Sequence, residues 1–150
     1  MRDFPKKPRD GAAATTVKHR VAFYETDAMG IVHHANYVHF FERARVQWLD
    51  DHDQPYSLYV EQGIHFATTR VEIHYRGSTR FDDVLCVTTW LEWVRGASLA
   101  MGYCIELAGE TKVTGKTEHA AVDLAGRVRR IPRDRRESLG TVASRPIAVP

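Results

Sequence analysis

Asp27 stands on a short loop, Thr26-Asp27-Ala28-Met29-Gly30, seven residues ahead of His34 and just before a stretch of helical periodicity. A carboxylate placed ahead of the backbone N–H groups that open a helix supplies two things acyl transfer needs. One is a base or nucleophile; the other is an electropositive pocket for an oxyanion. The competing reading of Asp27 is a turn carboxylate that binds local N–H groups, a common use of Asp before helices. Gly30 answers to a backbone need, either a positive φ or a close approach of substrate.

Three nearby histidines, His33, His34 and His39, raise the question of a metal. Neighbouring His33 and His34 point different ways, and five residues from His34 to His39 is a poor spacing for one helix face, so no metal site is expected. No Gly-rich phosphate loop, paired Cys-x-x-Cys or internal repeat is present, and no cofactor is expected. Glu42, inside the helical stretch, reads as a structural ion pair or cap contact. His39, His65, His74 and His119 read as surface or strand-face residues. Met29, Phe40 and Phe41 are of a type that could line an apolar pocket, but at helical spacing such residues more often form core.

The elements that must position these groups follow from periodicity. Val17, His19, Val21 and Phe23 alternate with Lys18, Arg20, Ala22 and Tyr24, which predicts a strand leading into the Asp27 loop. Tyr37, Phe40, Phe41, Ala44 and Trp48 recur at helical spacing, with Asn36 placed as the cap and an end near Asp51 to Pro55. A connecting stretch follows around Tyr56 to Gln62. From Val71 onward the patterning is β: Val71 to Tyr75, Val84 to Trp93, Leu99 to Leu107 and Thr111 to Asp123, joined by short turns as an antiparallel meander. The order predicts an α+β fold with one long helix on a single antiparallel sheet. One helix cannot cover both faces of such a sheet, which predicts a second copy as cover and hence at least a homodimer.

At 150 residues, with 43% hydrophobic and 27% charged residues, the chain fits a single domain with one substantial core. No apolar run reaches the ~20 residues a membrane helix requires. The stretch 1–16 is polar and lacks the apolar segment of a secretory signal, so it reads as a mobile lead-in to a cytoplasmic protein. Cys86 and Cys104 lie in apolar strand-like runs and read as free buried thiols without a chemical role. Net charge is +2, yet residues 21–126 hold 8 Lys/Arg against 15 Asp/Glu. The positive charge crowds into Arg127, Arg129, Arg130, Arg133, Arg135 and Arg136, without the interleaved aromatics or helix-face pattern of a nucleic-acid binder. That segment reads as a solvated basic tail, with a phosphate or acidic-partner contact as the alternative.

The run from Tyr24 through Arg45, with its Thr-Asp-x-x-Gly-x-Val-x-His-x-Asn-Tyr pattern, resembles the hotdog-fold 4-hydroxybenzoyl-CoA thioesterase family in its bacterial acyl-CoA thioesterase branch. Tyr75 to Leu85 with Asp82-Asp83, Gly115 to Asp123, and Arg130-Ile131-Pro132 resemble the same family in order and spacing. The likeness covers roughly residues 17–133, leaving 134–150 as a tail. It implies a hotdog fold, an antiparallel sheet wrapped around one long central helix. It further implies dimers with active sites between subunits, often paired into tetramers, and hydrolysis of acyl-CoA without metal or cofactor. Carried over by position, Asp27 is the catalytic carboxylate, and the backbone N–H of His34, alone or with that of Ala35, is the oxyanion donor. The His34 ring is available to orient Asp27, water or the thioester. Gly30, Ala35 and Tyr37 fall at substrate-binding positions. Many relatives have a tyrosine four residues before the aspartate. Here Phe23 stands there, with Tyr24 one place later, so Tyr24 is left out of the catalytic set.

The residues suit the reaction. A thioester expels a thiolate whose conjugate acid has a pKa of about 8.5 by analogy with cysteine, so no strong acid is required. Polarisation of the carbonyl and a carboxylate acting on the carbonyl carbon or on water suffice. The alternatives are a thioesterase acting on acyl-carrier-protein substrates, and a non-catalytic hotdog protein that binds acyl thioesters.

Overall fold

The computed structural model describes residues 4–145. Residues 1–3 of the expected lead-in and 146–150 of the expected tail lie outside that range. In chain order the elements are β1 (Ala14–Arg20), a 3-10 turn (Phe23–Glu25), α1 (Asn36–His52), α2 (Tyr56–Glu61), β2 (His65–Tyr75), β3 (Val84–Val94), β4 (Ser98–Leu107), β5 (Glu110–Val122) and α3 (Arg133–Val142). The five strands form one antiparallel sheet in the order β1-β3-β4-β5-β2.

Helix α1 lies on the inner face of this sheet because its apolar residues fall on one stripe. Tyr37, Phe40, Phe41, Ala44, Trp48 and Leu49 are all buried. They meet inward residues of the strands such as Leu85, Val87, Leu91, Met101, Tyr103 and Val113. Phe41 stacks on Tyr103 with ring centroids 4.1 Å apart. The helix comes this close because β5 carries Gly115, where an added Cβ would sit 2.6 Å from the Phe41 ring.

Several expectations are corrected. The strand expected to run to Tyr24 stops at Arg20, because Glu25 folds the chain into a turn. Its carboxylate accepts from Ala22 N at 2.7 Å and from His19 Nε2 at 2.8 Å. Tyr24 is 86% exposed. Asn36 is the first residue of α1 rather than its cap, and Ala35 at the cap position makes no side-chain cap bond. The connecting stretch after α1 is helical. Tyr59 of α2 is fully buried, and its hydroxyl donates to Asp53.

The C-terminal segment is likewise more than a solvated tail. Pro132 precedes α3, Leu139 is buried, and the helix packs on β3. Arg136 is buried with Nε donating to the Ile131 carbonyl at 2.9 Å, and Arg135 Nη1 reaches Asp53 Oδ1 at 3.1 Å. The chain also covers part of the outer sheet face itself. Phe4 stacks on His74 at 4.2 Å, and Phe4 and Pro5 flank a recess with Trp90, Glu92 and Arg145. That part of the face needs no second copy as cover. Cys86 and Cys104 are both free thiols. Among the described residues no helix is long and apolar enough to cross a membrane.

Candidate active site

The loop ahead of α1 is held by its own backbone. Asp27 N donates to Ile31 O at 2.9 Å, Gly30 N donates to Asp27 O at 2.9 Å, and Gly30 takes a φ of +75°. A side chain at Gly30 would be strained there whatever the free space, so this is a backbone requirement. Asp27 Oδ1 accepts from Met29 N at 2.9 Å. The local turn contact considered for Asp27 is thus present, but it engages one oxygen. Oδ2 has no partner among the described residues.

Asp27, Ile31, His34, Tyr37, Tyr75 and Arg76 are among the residues that line one groove at the N-terminal end of α1. The helix has 17 residues and no acidic side chain in its first turn, so its partial positive charge is not offset locally.

The backbone donors here are unequally engaged. His33 N donates to Glu25 O at 2.9 Å, Asn36 N to His33 O at 2.9 Å, and Ala35 N to His33 Nδ1 at 3.1 Å. His34 N donates to no acceptor among the described residues. The His34 carbonyl accepts from Tyr75 OH at 2.9 Å. Of the two expected donors, Ala35 is already spent and His34 is available.

Asp27, His34 and Tyr37 are therefore brought together, whereas Gly30 and Ala35 are not among the groove's lining residues. Tyr37 is buried and its hydroxyl shares a 2.7 Å hydrogen bond with Thr79 Oγ1. Burial pushes its phenol above the usual tyrosine value, so it serves as a neutral wall. Its partner residue Thr79 also accepts from Val32 N through its carbonyl at 2.8 Å.

A second tier fixes the loop against the helix. Glu25 O accepts from both His33 N and Asn36 Nδ2, the latter at 2.7 Å, while the Glu25 carboxylate holds Ala22 and His19. Arg43 Nη1 lies 3.2 Å from His19 Nδ1 and completes this chain. Sequence reading missed Tyr75 and the Gly77-Ser78 segment that follows Arg76. Tyr75 sits on a strand whose alternation shows only that it faces one side, and no local signal ties it to His34.

Several basic residues are held by ion pairs. Lys112 pairs with Glu110, Lys116 with Glu118, Arg127 with Asp123, Arg133 with Glu137 and Arg135 with Asp53. Arg76 lines the groove, and Arg80 Nη1 lies 3.5 Å from the Gly30 carbonyl. Glu42 lies 3.8 Å from Arg45, away from the groove.

The five-stranded antiparallel sheet with one long helix on its inner face defines the class of fold as hotdog. A model of the thioesterase-like superfamily matches residues 21–145, and the chain belongs to that family. The acyl-CoA thioesterase YbgC of Haemophilus influenzae is 40% identical over 81 residues, which cover 53% of this chain and 60% of that one. The crystal structure of the hypothetical protein TT1821 of Thermus thermophilus superposes with a TM-score of 0.81 at 30% identity, covering 87% of this chain and 98% of that one. A DHNA-CoA thioesterase of Staphylococcus aureus gives a TM-score of 0.82 at 27% identity, covering 86% and 90%.

Proposed function

We propose that this protein is an acyl-CoA thioesterase, acting as a homodimer or a pair of dimers, that hydrolyses acyl-CoA to the free acid and coenzyme A. The observation that carries the reading is the pairing of Asp27 with the unspent His34 N–H around one groove at the positive end of α1. The thioester carbonyl oxygen takes the His34 N–H, which stabilises negative charge as the tetrahedral intermediate forms. Asp27 either attacks the carbonyl carbon, giving an acyl-Asp anhydride that water then opens, or removes a proton from an attacking water. The C–S bond breaks and coenzyme A leaves as thiolate, which water reprotonates. Arg76 lines the groove, where a coenzyme A phosphate would meet its guanidinium group.

The similarity to an acyl-CoA thioesterase and to a DHNA-CoA thioesterase supports a CoA thioester as substrate. The ion pairs made by Arg127, Arg133 and Arg135 leave the C-terminal basic segment a weak case for docking an acyl carrier protein.

The test is thiol release from short, medium, long and aromatic acyl-CoAs by the native protein and by Asp27→Asn. A loss of at least about a hundredfold, some 2.7 kcal/mol of transition-state stabilisation, is expected. Equal rates would return Asp27 to a purely structural role. A single turnover in ¹⁸O-water bears on the two roles: label in the Asp27 carboxylate marks nucleophilic attack, whereas label only in the released acid fits either a general base or water opening the anhydride at its acyl carbon.

A further inference from the structure

We propose that His19 is a positioning residue for the thioesterase site: its ring links the Arg43 guanidinium to the Glu25 carboxylate, and this hydrogen-bonded chain sets the spacing between Asp27 and the His34 N–H. This rests on the thioesterase reading and adds to it a group that does not touch substrate, since His19, Glu25 and Arg43 are not among the residues lining the groove.

His19 is an unusual choice for its row. Val17, His19 and Val21 share one face of β1, and both valines join the apolar core. A histidine there, with a side chain 13% exposed, needs partners for its ring nitrogens. Nε2 lies 2.8 Å from Glu25 Oε1, and Nδ1 lies 3.2 Å from Arg43 Nη1. The ring also packs on Phe40 with centroids 4.3 Å apart. A guanidinium only donates and a carboxylate accepts, so the ring accepts at Nδ1 and donates at Nε2. The chain therefore has a direction, from Arg43 on α1 through His19 on β1 to Glu25 in the turn between them.

The other well-buried histidine shows the contrast. His119 Nε2 is 2.7 Å from Thr117 Oγ1, and its Nδ1 is 3.2 Å from Thr68 Oγ1. Burial, and then the Arg45 charge, push its pKa down to about 3, so it is a neutral part of the core. None of its partners reaches the Asp27 loop.

Glu25 is where the His19 chain meets the chemistry. Its Oε1 also accepts from Ala22 N at 2.7 Å, which closes the turn two residues ahead of Asp27. Its carbonyl oxygen accepts from His33 N at 2.9 Å and from Asn36 Nδ2 at 2.7 Å, and those two residues bracket His34. One residue thus holds both halves of the site, the loop with the carboxylate and the helix start with the oxyanion donor. A displacement of about 1 Å between such groups costs on the order of a hundredfold in rate. The His34 N–H binds most strongly once the oxyanion has formed, so the loss falls on kcat rather than on KM.

The test compares two substitutions at one position. His19→Leu keeps bulk against Phe40 and loses both polar contacts, whereas His19→Gln carries one acceptor and one donor that can replace Nδ1 and Nε2. Thiol release is followed on the acyl-CoA that the native protein turns over fastest, with folding checked by circular dichroism. His19→Leu is expected to lower kcat at least about tenfold with KM within about twofold of native, and His19→Gln to recover kcat to within about threefold. Arg43 is exposed, so Arg43→Met carries little risk to folding. It should lower kcat about two- to fivefold, and should add nothing when combined with His19→Leu, because Arg43 acts through His19. A folded His19→Leu with native kcat, a Gln variant no better than the Leu variant, or additive losses in the double variant would overturn the proposal. Should His19→Leu not fold, native kcat in Arg43→Met is the overturning result.

The His34 amide cross-peak in ¹H–¹⁵N spectra reads the same geometry without turnover. It should move in His19→Leu and return toward its native position in His19→Gln. If it does so in a protein that releases no thiol, the hydrolase reading fails and the positioning chain stands. If every variant releases thiol at the native rate and the cross-peak stays in place, the chain fails and the hydrolase reading stands.

Discussion

The hydroxyl of Tyr75, the last residue of the edge strand, donates to the carbonyl oxygen of His34 at 2.9 Å. One hydrogen bond thus fastens the sheet to the residue whose own N–H is free to receive charge. Burial raises the Tyr75 phenol above its ordinary value, which favours the protonated, donating form.

Removing that donor tests its share in catalysis. Tyr75→Phe keeps the ring packed against Tyr37 and His34. It should lower kcat/KM about five- to tenfold, in line with a hydrogen bond worth about 1 kcal/mol, while the thermal midpoint moves by only a few degrees. A midpoint drop of ten degrees or more would mark Tyr75 as structural instead.

Asn36→Asp separates positioning from stability. The change removes the Nδ2–H that Glu25 O accepts at 2.7 Å, a loss of about 1 kcal/mol. A carboxylate in the first turn of α1 gains about 0.3–1 kcal/mol from the helix dipole. Denaturant midpoints should therefore stay close to native while kcat falls at least tenfold, because a negative charge now stands beside the loop that carries Asp27. Native-like kcat would show that the loop holds its place without this bond.

His119 sets an acid limit on stability. Its folded-state pKa of about 3 lies below the ~6.5 of an unfolded histidine, so between those values the unfolded chain binds the extra proton. The contribution is complete above pH 6.5 and is lost as pH falls toward 3, to a total of about 3–5 kcal/mol. Urea midpoints for the native protein should decline across that window. They should decline less steeply for His119→Gln, and equal slopes would contradict the assignment.

Helix α3 is part of the fold and should behave as such. Leu139 is 1% exposed. Leu139→Ala should cost about 2–4 kcal/mol by equilibrium unfolding, as core truncations do. A cost below about 1 kcal/mol would mean that the helix is only loosely attached.

What the sequence makes legible follows from how far each signal reaches. The apolar stripe from Tyr37 to Trp48 repeats within one helix, and the alternation of β3, β4 and β5 repeats within each strand, so α1 and the meander can be read without tertiary information. The Asp27 loop carries a motif with its glycine in place, and Asp27 and His34 do meet at one groove. Partner choice is what stays hidden. Nothing local shows that His33 Nδ1 takes the Ala35 N–H, or that the Asn36 amide turns back to Glu25 instead of capping its helix. Arg136 looked like one charge in a solvated run because its burial depends on the Ile131 carbonyl and on Leu139 reaching the core. The short helix α2 was obscured for a similar reason: Tyr59 is the only fully buried residue in its six.

The N-terminal strap across the outer sheet face has a chemical corollary. Cys104 lies on that face, fully buried, near enough to Lys6 of the strap to feel its charge, and burial holds its thiol above the usual value. The buried thiol meets an alkylating reagent only when that region opens, so alkylation of Cys104 acts as a clock for the opening. Any assembly that stacks sheets back to back has first to draw Phe4 off His74, and the same clock would register it.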